Sequence, residues 1–239
     1  MATSTQSDEV SIQREYYRRT ADHYDSSHMG DIGEHDVAIA FMMSQIDLLG
    51  IESLLDCGSG TGRVPLKVKQ AHRNLRVVGI EPSAELREMG HAKGLSPDEL
   101  IDGDAQNLAF PDRSVDLVCE FAALHHIPDP TKTVSEMLRV ARKAIFISDC
   151  NNYGQGGFVG RTVKQILRAF GLWKAADFVQ TRGKGYKISE GDGLFYSFSV
   201  FDHYPLISRQ CRRVHLLNTA PAGSNLYRSA PHVALLGVK

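Results

Sequence analysis

The sequence predicts a doubly wound α/β domain on a mostly parallel, seven-stranded sheet with an antiparallel edge strand, N-terminal helices and an inserted cap. Three observations carry this prediction. Five short apolar runs alternate with helical stretches between Ile51 and Cys150, two further runs follow at Val214 and Val233, and no internal repeat suggests another plan. At 239 residues the chain is long enough to bury one substantial core.

The polar residues 1–9 read as a disordered tail, followed by a helix from Ile12 to about Tyr24 and a second from about Glu34 to Leu49. In the second helix Val37, Phe41, Ile46 and Leu48/Leu49 are expected to form the apolar face. The strand-like runs are Ser53–Cys57, Leu75–Ile80, Glu99–Ile101, Val115–Cys119 and Ala144–Ser148, each mostly apolar on both faces, as strands covered on two sides require. Between them Pro65 suits a first helical turn, and Ser83 with Glu85 marks a capped helix start. Asp129-Pro130 forms an N-cap and N1 pair, behind which Val134, Met137, Leu138 and Ala141 recur at helical spacing.

Residues 151–200 have a different texture, with glycines such as Gly154, Gly183 and Gly193 interleaved with Tyr153, Phe158, Tyr186 and Phe198. About 50 residues make a weak core alone, so this stretch reads as a cap on the domain spanning 10–239, with Val159–Phe170 as one amphipathic helix. Val214–Leu217 and Val233–Val238 then supply an antiparallel pair.

Lys and Arg number 27 against 28 Asp and Glu, which gives no basic excess for a phosphate backbone and argues against a nucleic-acid partner. The N-terminus lacks the basic and apolar regions of a signal peptide, and no apolar run approaches the roughly 18 residues of a membrane span. Four cysteines without a CxxC pair point to free thiols in a cytoplasmic setting, with no membrane partner expected. Cys57, Cys119 and Cys150 fall at ends of neighbouring strands; small buried residues explain them as well as a metal does, and no metal is expected. Arg182, Lys184 and Lys187 read as a solvated basic loop, with an acidic substrate group as the alternative.

The informative segment is Leu54-Leu55-Asp56-Cys57-Gly58-Ser59-Gly60-Thr61-Gly62-Arg63, a buried strand running into three glycines at alternate positions and then a helix. Such a loop lets main chain approach a ligand at the carboxyl end of a strand. A dinucleotide loop needs a third glycine where Arg63 stands, and no Gly-Lys-Ser/Thr follows for a triphosphate. Glu81, 25 residues after Asp56, ends the second strand with a carboxylate able to accept from a ribose diol.

The pattern D-x-G-x-G-T-G resembles the first motif of class I S-adenosylmethionine-dependent methyltransferases. Gly79-Ile80-Glu81-Pro82-Ser83, Gly103-Asp104-Ala105-Gln106-Asn107-Leu108 and the stretch from Phe110 to Pro130 follow in that family's order. The likeness covers about residues 10–150 and the last two strands, and is nearest the small-molecule branch that includes ubiquinone- and menaquinone-biosynthesis-like enzymes. It implies a Rossmann-like fold, S-adenosylmethionine as cofactor, S-adenosylhomocysteine as product and a small-molecule acceptor methylated on oxygen or nitrogen. It also implies that Asp56, Cys57, Gly58, Ser59, Gly60 and Gly62 hold the methionine part, Glu81 and Pro82 the ribose, and Asp104, Ala105 and Gln106 the adenine. Glu120, Phe121, Ala122 and His125 would pass beside the sulfonium, and Tyr16, Tyr17 and Tyr24 resemble the tyrosine-rich helix that folds over the cofactor. His125, His126 and Asp149 are the candidate proton-handling groups, since a base is needed only for a poor nucleophile. The other reading is a methyltransferase-like protein that binds the cofactor without turnover or serves as a partner subunit.

Overall fold

The computed structural model describes residues 12, 13, 15, 16, 33–189, 191–221 and 223–239. Ile12, Gln13, Glu15 and Tyr16 are helical; Tyr17, Tyr24 and residues 1–9 lie outside the described residues.

Helix α1 (Glu34–Leu49) begins at extended Gly33 and ends on left-handed Gly50. It buries Ala38, Ile39, Met42 and Ile46, whereas Val37 and Leu48 of the expected face are exposed. Phe41, Ile46 and Leu49 of that face do pack on the core, while small Ala38 takes a place on the packed side that the apolar pattern did not mark. Strand β1 (Ser53–Cys57) is buried along its whole length. It leads through α2 (Arg63–Ala71) to β2 (Arg76–Ile80), then through α3 (Ala84–Ala92) to the two-residue β3 (Leu100–Ile101). Ser83 caps α3 by accepting from the Leu86 amide, and Glu85 sits in the first turn.

Strand β4 (Val115–Phe121) runs into a single 3₁₀ turn, Leu124–His126, and α4 (Pro130–Val140) is capped by Asp129 with Pro130 at its start. Strand β5 (Ala141–Cys150) is longer than expected at both ends. Next come α5 (Phe158–Ala169), α6 (Trp173–Gln180), the hairpin β6 (Tyr186–Ser189) and β7 (Gly193–Tyr196), then α7 (Val200–Gln210), β8 (Arg213–Asn218) and β9 (His232–Val238).

The main sheet has the order β3-β2-β1-β4-β5-β9-β8, while β6 and β7 form a separate antiparallel pair. Strands β1 to β5 are parallel, and β9 runs antiparallel to both β5 and β8. Strand order reverses between β1 and β4, the place where open α/β sheets bind ligands. One core face gathers Leu55, Val118, Ile145, Met137 and Leu138, and the other gathers Leu54, Leu117, Phe146, Ile39 and Met42. The two packed faces hold β1 and β4 rigid, so the loops at their carboxyl ends are fixed in place.

Candidate active site

The loop after β1 is shaped by its glycines. Gly58, Gly60 and Gly62 all have positive φ, at 75°, 54° and 80°. At Gly58 an added Cβ would lie 2.6 Å from the Ala123 Cβ, so loop and β4 end approach closer than any side chain permits. A cavity of about 340 Å³ opens over this loop, lined in part by Asp56, Gly58, Ser59, Gly60, Thr61 and Arg63. Tyr16, Phe121, Ala122, His125 and His126 complete its wall with Cys150, Asp192 and His232. Ala122 is one of three described non-glycine residues with positive φ, a strained backbone position held at the cavity wall by a hydrogen bond from its amide to the Ser148 carbonyl.

Three buried carboxylates surround this cavity. Asp56 accepts from the Ser59 hydroxyl at 2.7 Å, and burial pushes its carboxyl up to about 6. Glu81 accepts the Gly60 amide on Oε2 at 3.0 Å and the Ser83 amide on Oε1 at 2.9 Å. Burial outweighs those bonds and raises it to about 7. Glu120 accepts the Ala123 amide on Oε2, while its buried Oε1 has no hydrogen-bond partner. Burial, and then the charge of Asp149, push Glu120 well above the usual carboxylate range.

On the β4–β5 side, His125 Nδ1 lies 2.7 Å from Asp149 Oδ1, and the other Asp149 oxygen accepts the His125 amide at 3.3 Å. Burial opposes charge on both residues, but their mutual attraction wins: Asp149 falls to about 2 and His125 rises to about 10. Asp192, between Gly191 and Gly193 in the hairpin turn, stands 3.6 Å from His125 Nε2 and 3.4 Å from His126 Nε2. His126 Nδ1 is 2.7 Å from the Leu194 carbonyl, so this ring ties the 3₁₀ turn to β7, whereas His125 faces the cavity.

The structure therefore brings Tyr16, Asp56, Gly58, Ser59, Gly60, Phe121, Ala122, His125 and His126 onto one cavity, with Asp149 behind His125. Cys57, Gly62, Glu81, Pro82, Asp104, Ala105, Gln106 and Glu120 do not line it. Glu81 and Glu120 border the lining loops through Gly60 and Ala123, and Asp104 is an exposed side chain closing a turn onto the Gln106 amide. Asp192 and His232 escaped notice in the sequence. The only signal for Asp192 was an acid flanked by glycines.

Among the described residues, three groups place ligand atoms close enough for a metal: Glu34 with His35 and His232, His125 with His126 and Asp192, and His125 with Asp149 and Cys150. Cys57 and Cys119 are in none of them, and all four cysteines are free. The three strand-end thiols thus do not converge.

A doubly wound sheet with a glycine loop at its switch point and a carboxylate after β2 is the arrangement in which open α/β sheets place small-molecule ligands. The chain matches, over residues 55–147, the methyltransferase domain family. It is 37% identical over 123 residues to phosphatidylethanolamine N-methyltransferase of Cereibacter sphaeroides, covering 49% of this chain and 59% of that one. It is 33% identical over 92 residues to demethylmenaquinone methyltransferase of Thermotoga maritima, covering 38% of this chain and 40% of the relative. The chain thus spans about half the length of these curated relatives. Its fold is similar to magnesium protoporphyrin IX methyltransferase from Synechocystis PCC 6803, solved with bound SAH, at TM-score 0.59 and 16% identity over 97% of this chain and 99% of that one. A SAM-dependent methyltransferase of Thermotoga maritima gives TM-score 0.58 at 18% identity, covering 94% and 99% of the two chains.

The residues present fit this cofactor. The close approach at Gly58 leaves main chain, not side chain, facing the cavity, and each Glu81 oxygen keeps a lone pair beyond its one amide bond.

Proposed function

We propose that the chain transfers a methyl group from S-adenosylmethionine to a small-molecule acceptor held beside His125, on oxygen or nitrogen. The observation that carries this reading is the buried His125–Asp149 pair at a wall shared by the first cavity and a second of about 260 Å³. The second cavity is lined by Asp177, Thr181, Tyr186 and Lys187 of the 151–200 segment, which serves as the acceptor-side cap.

S-adenosylmethionine supplies an activated methyl on a positive sulfur, so the protein's work is positioning, water exclusion and proton handling. Main chain at Gly58 to Gly62 and the Asp56 carboxyl hold the amino-acid part, Glu81 the ribose, and Asp104 with Ala105 the adenine. Alignment of acceptor and methyl contributes much of the rate. His125 takes the acceptor proton at Nε2 while Asp149 holds Nδ1 and stabilises the resulting imidazolium. In the resting arrangement Asp192 faces Nε2, which keeps His125 charged. An acceptor that displaces Asp192 lowers the proton affinity of the ring and frees it as a base.

The test is to incubate the purified chain with S-adenosylmethionine and a fractionated pool of small metabolites and to follow S-adenosylhomocysteine by mass spectrometry. Product release that tracks one fraction supports the proposal. Tight cofactor binding by calorimetry with no release from any fraction, including lipid extracts, turns the reading to a non-catalytic cofactor-binding subunit.

A further inference from the structure

Helix α5 faces the wrong way for a helix of a globular domain. Lys164, Gln165 and Arg168 form its inward side. Lys164 Nζ donates to the Gln155 carbonyl at 2.9 Å, Gln165 Nε2 to the Tyr153 and Arg228 carbonyls at 3.0 Å, and Arg168 pairs with Asp202 at 2.7 Å while lying 4.4 Å from the Tyr153 ring centroid. The apolar residues Val159, Val163, Ile166 and Phe170, at helical spacing, point outward, and α5 and α6 bury no side chain at all. Val159 is 73% exposed, Phe170 75% and Val179 76%. Of the 13 large apolar side chains that are exposed among the described residues, nine lie between 158 and 188. A patch of this kind on a folded domain marks an interaction surface.

Charge identifies the occupant. The chain as a whole carries 27 basic and 28 acidic residues, but between 158 and 187 there are seven basic residues and a single acid, Asp177; the inward Lys164 and Arg168 set aside, five basic residues remain for the outer side. Lys174, Arg182, Lys184 and Lys187 are all exposed beside the apolar side chains. A second copy of the chain would bring two such basic faces together, which like-charge repulsion opposes. An anionic lipid surface satisfies both halves of the pattern, taking Phe, Val and Ile side chains into the acyl boundary while Lys and Arg reach the headgroups.

We infer that the α5–α6 face of the cap docks on an anionic lipid surface, lying in the headgroup plane. The expectation of no membrane partner rested on the absence of a spanning segment, and among the described residues no helix is long and apolar enough to cross a membrane. Lying on a membrane needs no such segment. Docking on this face would set the second cavity, lined by Asp177 and Thr181 of the same segment, beside the lipid.

Trp173, the single tryptophan of the chain, begins α6 and turns inward, donating its indole N–H to Ser197 Oγ at 2.9 Å beside the Tyr153 ring, so its fluorescence reports that the cap stays packed. The full chain is mixed with phosphatidylcholine vesicles with and without phosphatidylglycerol, and co-flotation is followed. Binding is expected only with phosphatidylglycerol. It should weaken in high salt, about fivefold for each charge removed in Lys174→Gln and Lys184→Gln, and at least tenfold in the paired Val159→Ser, Phe170→Ser variant. Calorimetry with S-adenosylhomocysteine, without vesicles, checks that each variant remains folded. The inference is overturned if wild type ignores phosphatidylglycerol vesicles, if it binds both vesicles equally, or if the serine pair binds like wild type. A dimer abolished by that pair, or capture of an acidic protein in place of lipid, also overturns it. Each of those outcomes leaves the methyltransferase reading to its own assay.

Discussion

Helices α4 and α5 are nearly the same length, 11 and 12 residues, and both are amphipathic, yet they face opposite ways. Helix α4 turns Val134, Met137 and Leu138 into the core, and these side chains have no exposed surface. Helix α5 anchors itself through Lys164, Gln165 and Arg168 and leaves its apolar side uncovered. Periodicity tells a reader that a helix has two faces. It does not tell which face meets the protein, because that depends on what the rest of the chain offers as a partner. For α4 the sheet offers β4 and β5; for α5 the neighbouring surface is made of carbonyls, Asp202 and tyrosine rings.

The sharpest way to separate the two regions is chemical. His125→Ala, at the end of β4, should lower kcat by about 10² to 10⁴-fold while the affinity for S-adenosylhomocysteine stays near wild type, as expected for loss of a positioned base. Turnover unchanged in this variant and in His126→Ala would remove histidine from the chemistry. Packing gives the next largest contrast. Phe146→Ala, fully buried against Phe41 and Phe121, should cost about 3–5 kcal/mol in denaturant unfolding. Phe170→Ala on the cap should stay within about 0.5 kcal/mol. Equal losses would mean that the α5 face is covered in the folded chain.

The buried acids make a third contrast, visible in pH. Asp56 and Glu81 are raised to about 6 and about 7, so the folded chain holds protons that the unfolded chain loses near 3.8 and 4.5. Stability therefore falls as pH rises across that window, by up to about 3 kcal/mol for each group. Scanning calorimetry should show a higher Tm at pH 5 than at pH 7.5, with a flatter dependence in Glu81→Gln. The smallest effect concerns Asp192, which the hairpin turn places at the cavity wall. Asp192→Asn removes a carboxylate that holds the proton on His125, so the acid limb of the kcat/KM profile should move to lower pH. An unmoved limb would show that Asp192 does not face His125 during turnover.

The alternation of strands and helices, the capped starts of α3 and α4 and the glycine loop were all legible in the sequence because each rests on local rules: period, capping residue, positive φ. The β9–β8 pair was legible for the same reason. The full packed face of α1 was not, since Ala38 reads as neutral in a pattern and becomes buried only by packing. Nor was Asp192, whose role depends on a hairpin turn folding back over β4 from 66 residues away. His125 and Asp149 were both singled out as candidates, but that one would orient and charge the other is a fact of the sheet, where β4 and β5 are parallel neighbours.

The place of β9 has a consequence for how the molecule is made. This strand lies between β5 and β8, yet it is formed by residues 232–238, which are synthesised after both. Until they emerge, the edge of β5, with Ile145, Phe146 and Ile147, has no partner, and the contact that closes it joins residues nearly 90 positions apart. Nascent chains should therefore pass through the synthesis of the segment between β5 and β9 with an apolar strand edge open, a stage at which chaperone capture or aggregation is decided.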